Sequence, residues 1–159
     1  MKRILTVLCG AFLSILIIAV AVFAFRAFKG KGLDQQSKLY ADSAIPAIIS
    51  QWDEQALVGR ASPELKVVLK KNGGLDNLFG RFHKLGRLKK YYGAVGESNI
   101  SITTQNGKVI TALYIAKADF QSGHAEIRIG LIKHGDNWQI LNFYVNSPGF
   151  LIPGAVKAS

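Results

Sequence analysis

Hydrophobic positions along the chain fall into three regimes. From Ile4 to Phe25 there is no period at all, because 22 residues pass without a charge. A helix of that length spans roughly 33 Å, enough for the core of a bilayer. After Leu33 the apolar positions return at helical spacing. Ala41, Ile45, Ile48 and Trp52 form one stripe, with Asp34 as the candidate N-cap. Pro46 lies inside that run and removes the bond to the Asp42 carbonyl, so a kink or break is expected near Ile45. Asp53 can start a second short turn, DEQALVGR. Ser62-Pro63 then has the chemistry of an N-cap and first helical residue, and Asn72-Gly73-Gly74 that of a helix stop. A last helix carries Leu75, Leu78, Phe79, Phe82 and Leu85 on one stripe and ends at Gly86.

Beyond Gly86 the period changes to two. NISITTQ alternates, Asn106-Gly107 is a hairpin signal, and KVITALYIAKADF reads as a long strand. Its two faces are Ile110, Ala112, Tyr114, Ala116, Phe120 and Val109, Leu113, Ile115. Gln121-Ser122-Gly123 turns the chain into HAEIRIGLIK, where Ala125, Ile127, Ile129 and Leu131 oppose His124, Glu126 and Arg128. Gly135-Asp136-Asn137 turns it again into WQILNFYVN, with Trp138, Ile140 and Tyr144 alternating against Leu141, Phe143 and Val145. A less regular strand, LKKYYGAVG, precedes this meander. The expectation is an α+β chain: an N-terminal transmembrane helix, then three to four helices covering one face of a curved antiparallel sheet of four to five strands.

Charge sharpens the reading of the first segment. The net charge is +10, yet Lys2, Arg3, Arg26, Lys29 and Lys31 all flank the apolar run. From Leu33 onward 15 basic residues face 10 acidic ones, a net +5, which argues against a nucleic-acid partner. The length of the run and its basic flanks favour an uncleaved signal anchor at 1–28, followed by a flexible tether at 29–37, a domain at 38–147 and a tail at 148–159. The start of the run at the fourth residue favours a cytoplasmic N-terminus and a domain on the periplasmic or extracytoplasmic side. The alternative is secretion after cleavage near Ala24. Cys9, the only cysteine, follows Val7-Leu8 and does not suit a lipoprotein signal. It leaves the domain without a disulfide, a thiol nucleophile or a cysteine metal site.

Two constellations carry candidate chemistry. His124, Glu126 and Arg128 share one strand face, with His134 at the far end of the strand; a solvated sheet face explains them better than a metal or proton-transfer site. Arg81, His83, Lys84, Arg87, Lys89 and Lys90 make a basic helix-to-strand junction. This is first a solvated helix end and second a contact for anionic lipid or an acidic partner. Ser-His-Asp spacing, a phosphate loop and an HExxH motif are all missing from the sequence, and no cofactor or metal is expected.

Three stretches in order, QWDEQALVGRASPEL, LFGRFHKLGRLKKYYG and LIKHGDNWQILNFYVNS, resemble the nuclear-transport-factor-2-like (cystatin-like) superfamily in its small bacterial membrane-anchored or secreted branch. The resemblance covers Leu33 to Ser147. It implies a cone: a bent sheet wrapped on helices, with a pocket between them that Tyr91, Tyr92, Tyr114, Asp119 and Tyr144 would line. Such a fold serves enzymes, scaffolds and binding modules alike. The leading expectation is a non-enzymatic, membrane-anchored module that binds a protein, or a second copy of itself, through the sheet face left uncovered by helices. The runner-up is a small-ligand or isomerase/dehydratase-type pocket protein.

Overall fold

Ala41, Ala44, Ile45, Ile48 and Ile49 recur at helical spacing and are completely buried, so the first element is a helix with one committed face. The computed structural model describes residues 32–71, 75–103 and 107–150, and in it helix α1 covers 32–49. By contacts the chain divides after Gln35, and the unit from Gln36 onward holds the sheet, the later helices and the sites described below. The candidate membrane segment Ile4–Phe25 lies outside the described residues, among which no helix is long and apolar enough to cross a membrane.

Two expectations for α1 need correction and a third is narrowed. Residues 32 and 33 are already helical, so Asp34 is not the N-cap. Residues 32–37 of the supposed tether are helical too: beyond Gly32, LDQQS contains no breaker, and Ser37 is buried. Nor does Pro46 break the helix, which runs on to residue 49. An interior proline costs roughly 3 kcal/mol, and the buried residues on both sides of it outweigh that.

The helix ends where the Asp53 N–H reaches back 2.8 Å to the Ile48 carbonyl across Trp52, whose φ is +56°. Glycine usually takes this left-handed position, and a bulky side chain there costs roughly 1–2 kcal/mol. Trp52 offsets the strain through its ring, which stacks on Phe120 at 4.9 Å and lies 5.1 Å from Phe82. Its indole N–H also donates to the Gly86 carbonyl at 2.9 Å.

The shorter helices follow their caps. Asp53 accepts from the Ala56 N–H at 3.0 Å to open α2, Glu54–Arg60. Ser62 Oγ accepts from the Leu65 N–H at 3.3 Å to open α3, Pro63–Lys71. Helix α4, Leu75–Phe82, tightens into a 3₁₀ turn at His83–Leu85 and stops at Gly86, φ +74°. A Cβ on Gly86 would lie 2.6 Å from Gln121 Oε1, so position and conformation both demand glycine.

Four antiparallel strands follow in the order β1-β2-β3-β4: Leu88–Thr103, Gly107–Phe120, Gly123–His134 and Asn137–Asn146. LKKYYGAVG and NISIT, read separately in the sequence, are one 16-residue strand whose register shifts between Tyr91 and Ala94. The inner face buries Ala94, Tyr114, Ala116, Phe120, Ile127, Ile129, Leu131, Trp138, Ile140 and Phe143. Trp138 and Ile140 therefore share their face with Phe143, while Tyr144 points outward. A register shift opposite Gly130/Leu131 leaves Leu141 as an extra residue, and this flips the parity that simple alternation assigns to β4.

Candidate functional site

The outer face of the sheet is assembled by register. Val95 pairs with Ile115, Ile115 with Arg128, and Arg128 with Tyr144, so these four form one row across all four strands. In the next row Glu97 pairs with Leu113 and Leu113 with Gly130. No described helix covers this side: Val95 is 78% exposed, Tyr144 64%, Leu113 56% and Ile115 38%. The result is an apolar patch of Val95, Ile115 and Leu113 bordered by Glu97, with Arg128 standing between it and Tyr144.

Beyond the patch, towards the Phe120–Gly123 turn, the same face sinks into a groove of about 530 Å³. Tyr92, Lys117, Asp119, His124, Glu126 and Asn146 contribute its polar groups. The ladder sets Lys117 opposite Glu126 and Asp119 opposite His124. Neither cross-strand ion pair forms. Glu126 is instead held by Arg128, Oε1 to Nε at 2.8 Å, and Asp119 accepts the Tyr92 hydroxyl at 2.6 Å. The bond to Asp119 raises the Tyr92 hydroxyl above its ordinary pKa, so it stays a donor. Lys90 Nζ lies 4.7 Å from the centre of the Tyr92 ring.

No family model, curated protein or solved structure matches this chain.

The five residues expected to line one pocket do not converge. Tyr114 is completely buried on the inner face, where its hydroxyl and Ser37 Oγ lie 2.8 Å apart. Tyr91 also turns inward and donates to Asp42 of α1 at 2.8 Å. Tyr92 and Asp119 share the outer groove, and Tyr144 stands apart on the same face. Alternation along β1 and β2, with the irregularity near Gly93, splits them between the two faces. Between helices and sheet stand Trp52, Phe79, Phe82, Phe120 and Tyr114, all buried.

His124, Glu126 and Arg128 do share a face, with Glu126 committed to Arg128. His134 is exposed at the β3–β4 turn, bonded to Gln139 at 2.9 Å and 3.4 Å from Glu64. Among the described residues no three His, Cys, Asp or Glu side chains are grouped to hold a metal. The six residues of the basic junction, Arg81, His83, Lys84, Arg87, Lys89 and Lys90, are all exposed. His83 and Arg87 line a small hollow of about 210 Å³ beside Gln51, Trp52 and Gln121.

Sequence reasoning missed a polar clamp between α1 and β1. Asp42 Oδ1 accepts from the Ala94 N–H at 2.8 Å as well as from Tyr91, and Oδ2 accepts from Lys38 at 2.7 Å. Lys38 also donates to the Ala94 carbonyl at 2.8 Å. The spacing Lys38-Asp42, one helical turn, was a visible signal. Its target on β1 was not, because it depends on the bulge. The groove was more legible: a short turn at Gln121-Ser122 fixes Asp119 opposite His124.

Proposed function

We propose that this chain is a membrane-anchored envelope domain acting as a non-enzymatic protein-binding or assembly module, with the outer sheet face as its docking surface. The observation that carries this reading is the exposed cluster of Val95, Ile115 and Leu113, with Tyr144 beyond Arg128 in the same row. Burying one such side chain is worth roughly 1.5–3 kcal/mol, so a partner covering several gains a useful core of affinity. The uncharged run Ile4–Phe25 supports the anchor, with the domain on the extracytoplasmic side. Helices first and a meander second support the resemblance to the nuclear-transport-factor-2-like superfamily, and on that reading the sheet wraps the helices as a cone. The dispersal of Tyr91, Tyr92, Tyr114, Asp119 and Tyr144 weighs against the pocket-enzyme alternative.

Site-specific photo-crosslinking of the full-length protein in native membranes tests this. A photoreactive residue at Leu113 should give a discrete adduct, with a partner or a second copy, that Ile115→Lys abolishes. The same probe at exposed Gln55 on α2 should give none. Identical adduct patterns from both positions, or no adduct from Leu113 and Tyr144, would overturn the reading.

A further inference from the structure

The groove at the end of the outer face differs chemically from the patch beside it. Its two acids are already engaged, Glu126 by Arg128 and Asp119 by Tyr92. Among the described residues, the Lys117 ammonium and the His124 ring have neither an ion pair nor a hydrogen bond. Each would find a carboxylate directly across the ladder, and each such carboxylate has turned elsewhere. Lys117 and His124 occupy adjacent rows of neighbouring strands, a diagonal whose Cβ atoms lie roughly 7–8 Å apart. One carboxylate group can bridge donors so placed, given the reach of a lysine.

The exposed apolar wall is Pro148 and the Tyr92 ring; Ala118 and Ala125 also border the groove, but their side chains are buried on the other face. A volume of about 530 Å³ lies within the usual range for small-molecule sites. Charge narrows the ligand further. The Glu126 and Asp119 side chains also line the groove, so a doubly charged phosphate beside these two acids meets more repulsion than a single carboxylate does. We infer that this groove binds a small organic acid, its one carboxylate held by Lys117 and His124 and its flat apolar body lying against Pro148 and Tyr92. Lys117 and His124, the two donors, stand outside the Leu113 patch, so their variants test the groove separately from the docking surface.

The test uses full-length protein in detergent micelles, titrated with 3-phenylpropionate and followed by ligand-observed NMR. Saturable binding at or below about 10 mM is expected. The uncharged analogue 3-phenylpropanamide should bind several-fold more weakly, and inorganic phosphate should compete poorly. Lys117→Met and His124→Gln should each weaken binding by roughly 1.5-fold to fivefold, the range of an exposed charge contact. Arg128→Gln touches no ligand atom, yet it frees Glu126 to pair with Lys117 and should weaken binding as well. All these side chains are solvent-facing, and unchanged thermal melting will show that the variants fold. Absence of saturable binding, equal affinity for the amide, phosphate competing as well as the acid, or an unaffected Lys117→Met variant would each overturn the inference.

Discussion

Asp42 ties α1 to β1 through the Tyr91 hydroxyl and the Ala94 N–H. Burial works against its charge, but bonds from Lys38, the Ala94 N–H and Tyr91, together with the lysine charge, hold the carboxyl below the ordinary carboxylate range. The same contact, after burial, pushes the Tyr91 hydroxyl upward, so it remains protonated and donates. A carboxyl that titrates lower when folded takes its proton first in the unfolded chain. The stability it gives is therefore complete above the ordinary carboxylate pKa of about 3.9 and is lost as pH falls through the folded value. Asp42→Asn should cost about 1–2 kcal/mol at neutral pH, the lower part of the range for a charged bond, because the side chain is 30% exposed. Its melting temperature should also fall less steeply than that of the parent between neutral and acid pH. Parallel melting curves for the two proteins would show that Asp42 is not the titrating contact. Tyr91→Phe, which removes one bond and leaves the carboxylate its others, should cost about 1 kcal/mol in the same melts.

Among the elements, β1 is the most constrained and was the hardest to read. It is an edge strand of 16 residues, and such edges invite pairing with other chains. At Ala94 both backbone groups are taken by α1, through Asp42 and Lys38, so the helix closes part of this edge. Two residues on, Gly96 lets β1 press against β2: a Cβ there would collide with the Leu113 carbonyl oxygen and lie 2.8 Å from the Tyr114 Cα. Gly96→Ala should therefore force the two strands apart and destabilise the fold by about 1–3 kcal/mol. Hydrogen exchange in β1 and β2 should quicken more than in β4; uniform protection equal to the parent would contradict the close approach. The helices, the meander and the burial of β2 and β3 were legible because periods of 3.6 and 2 map directly onto faces. The single long β1, the inward turn of Tyr91 and the parity of β4 were not. Each hangs on a bulge, and a bulge moves one residue without changing composition. Of the kink or break expected at Pro46, the break does not occur, since a local rule met a tertiary core strong enough to override it.

Across the whole domain, charge and apolar surface are segregated. The segment from Arg81 to Lys90 contributes five cations and no acid, which equals the entire net +5 of the chain after residue 32. The rest of the chain after residue 32 is balanced in net charge, so the exposed junction between α4 and β1 accounts for the excess. Cations grouped in this way attract anionic headgroups by roughly 1 kcal/mol each near a surface, and the effect fades within a Debye length of about 10 Å at 0.1 M salt. Full-length protein in nanodiscs containing phosphatidylglycerol should therefore show slower hydrogen exchange over residues 81–90 than in phosphatidylcholine alone. Raising the salt to about 0.5 M should erase the difference, because screening then acts within a few ångströms. Replacing Arg81, Lys84 and Arg87 by Glu should erase it as well, while leaving the Leu113 crosslinks intact. Equal exchange in the two lipids would reduce the junction to a solvated helix end whose cations only complement the α4 dipole. Slower exchange that survived both high salt and charge reversal would point to apolar contact with the membrane instead.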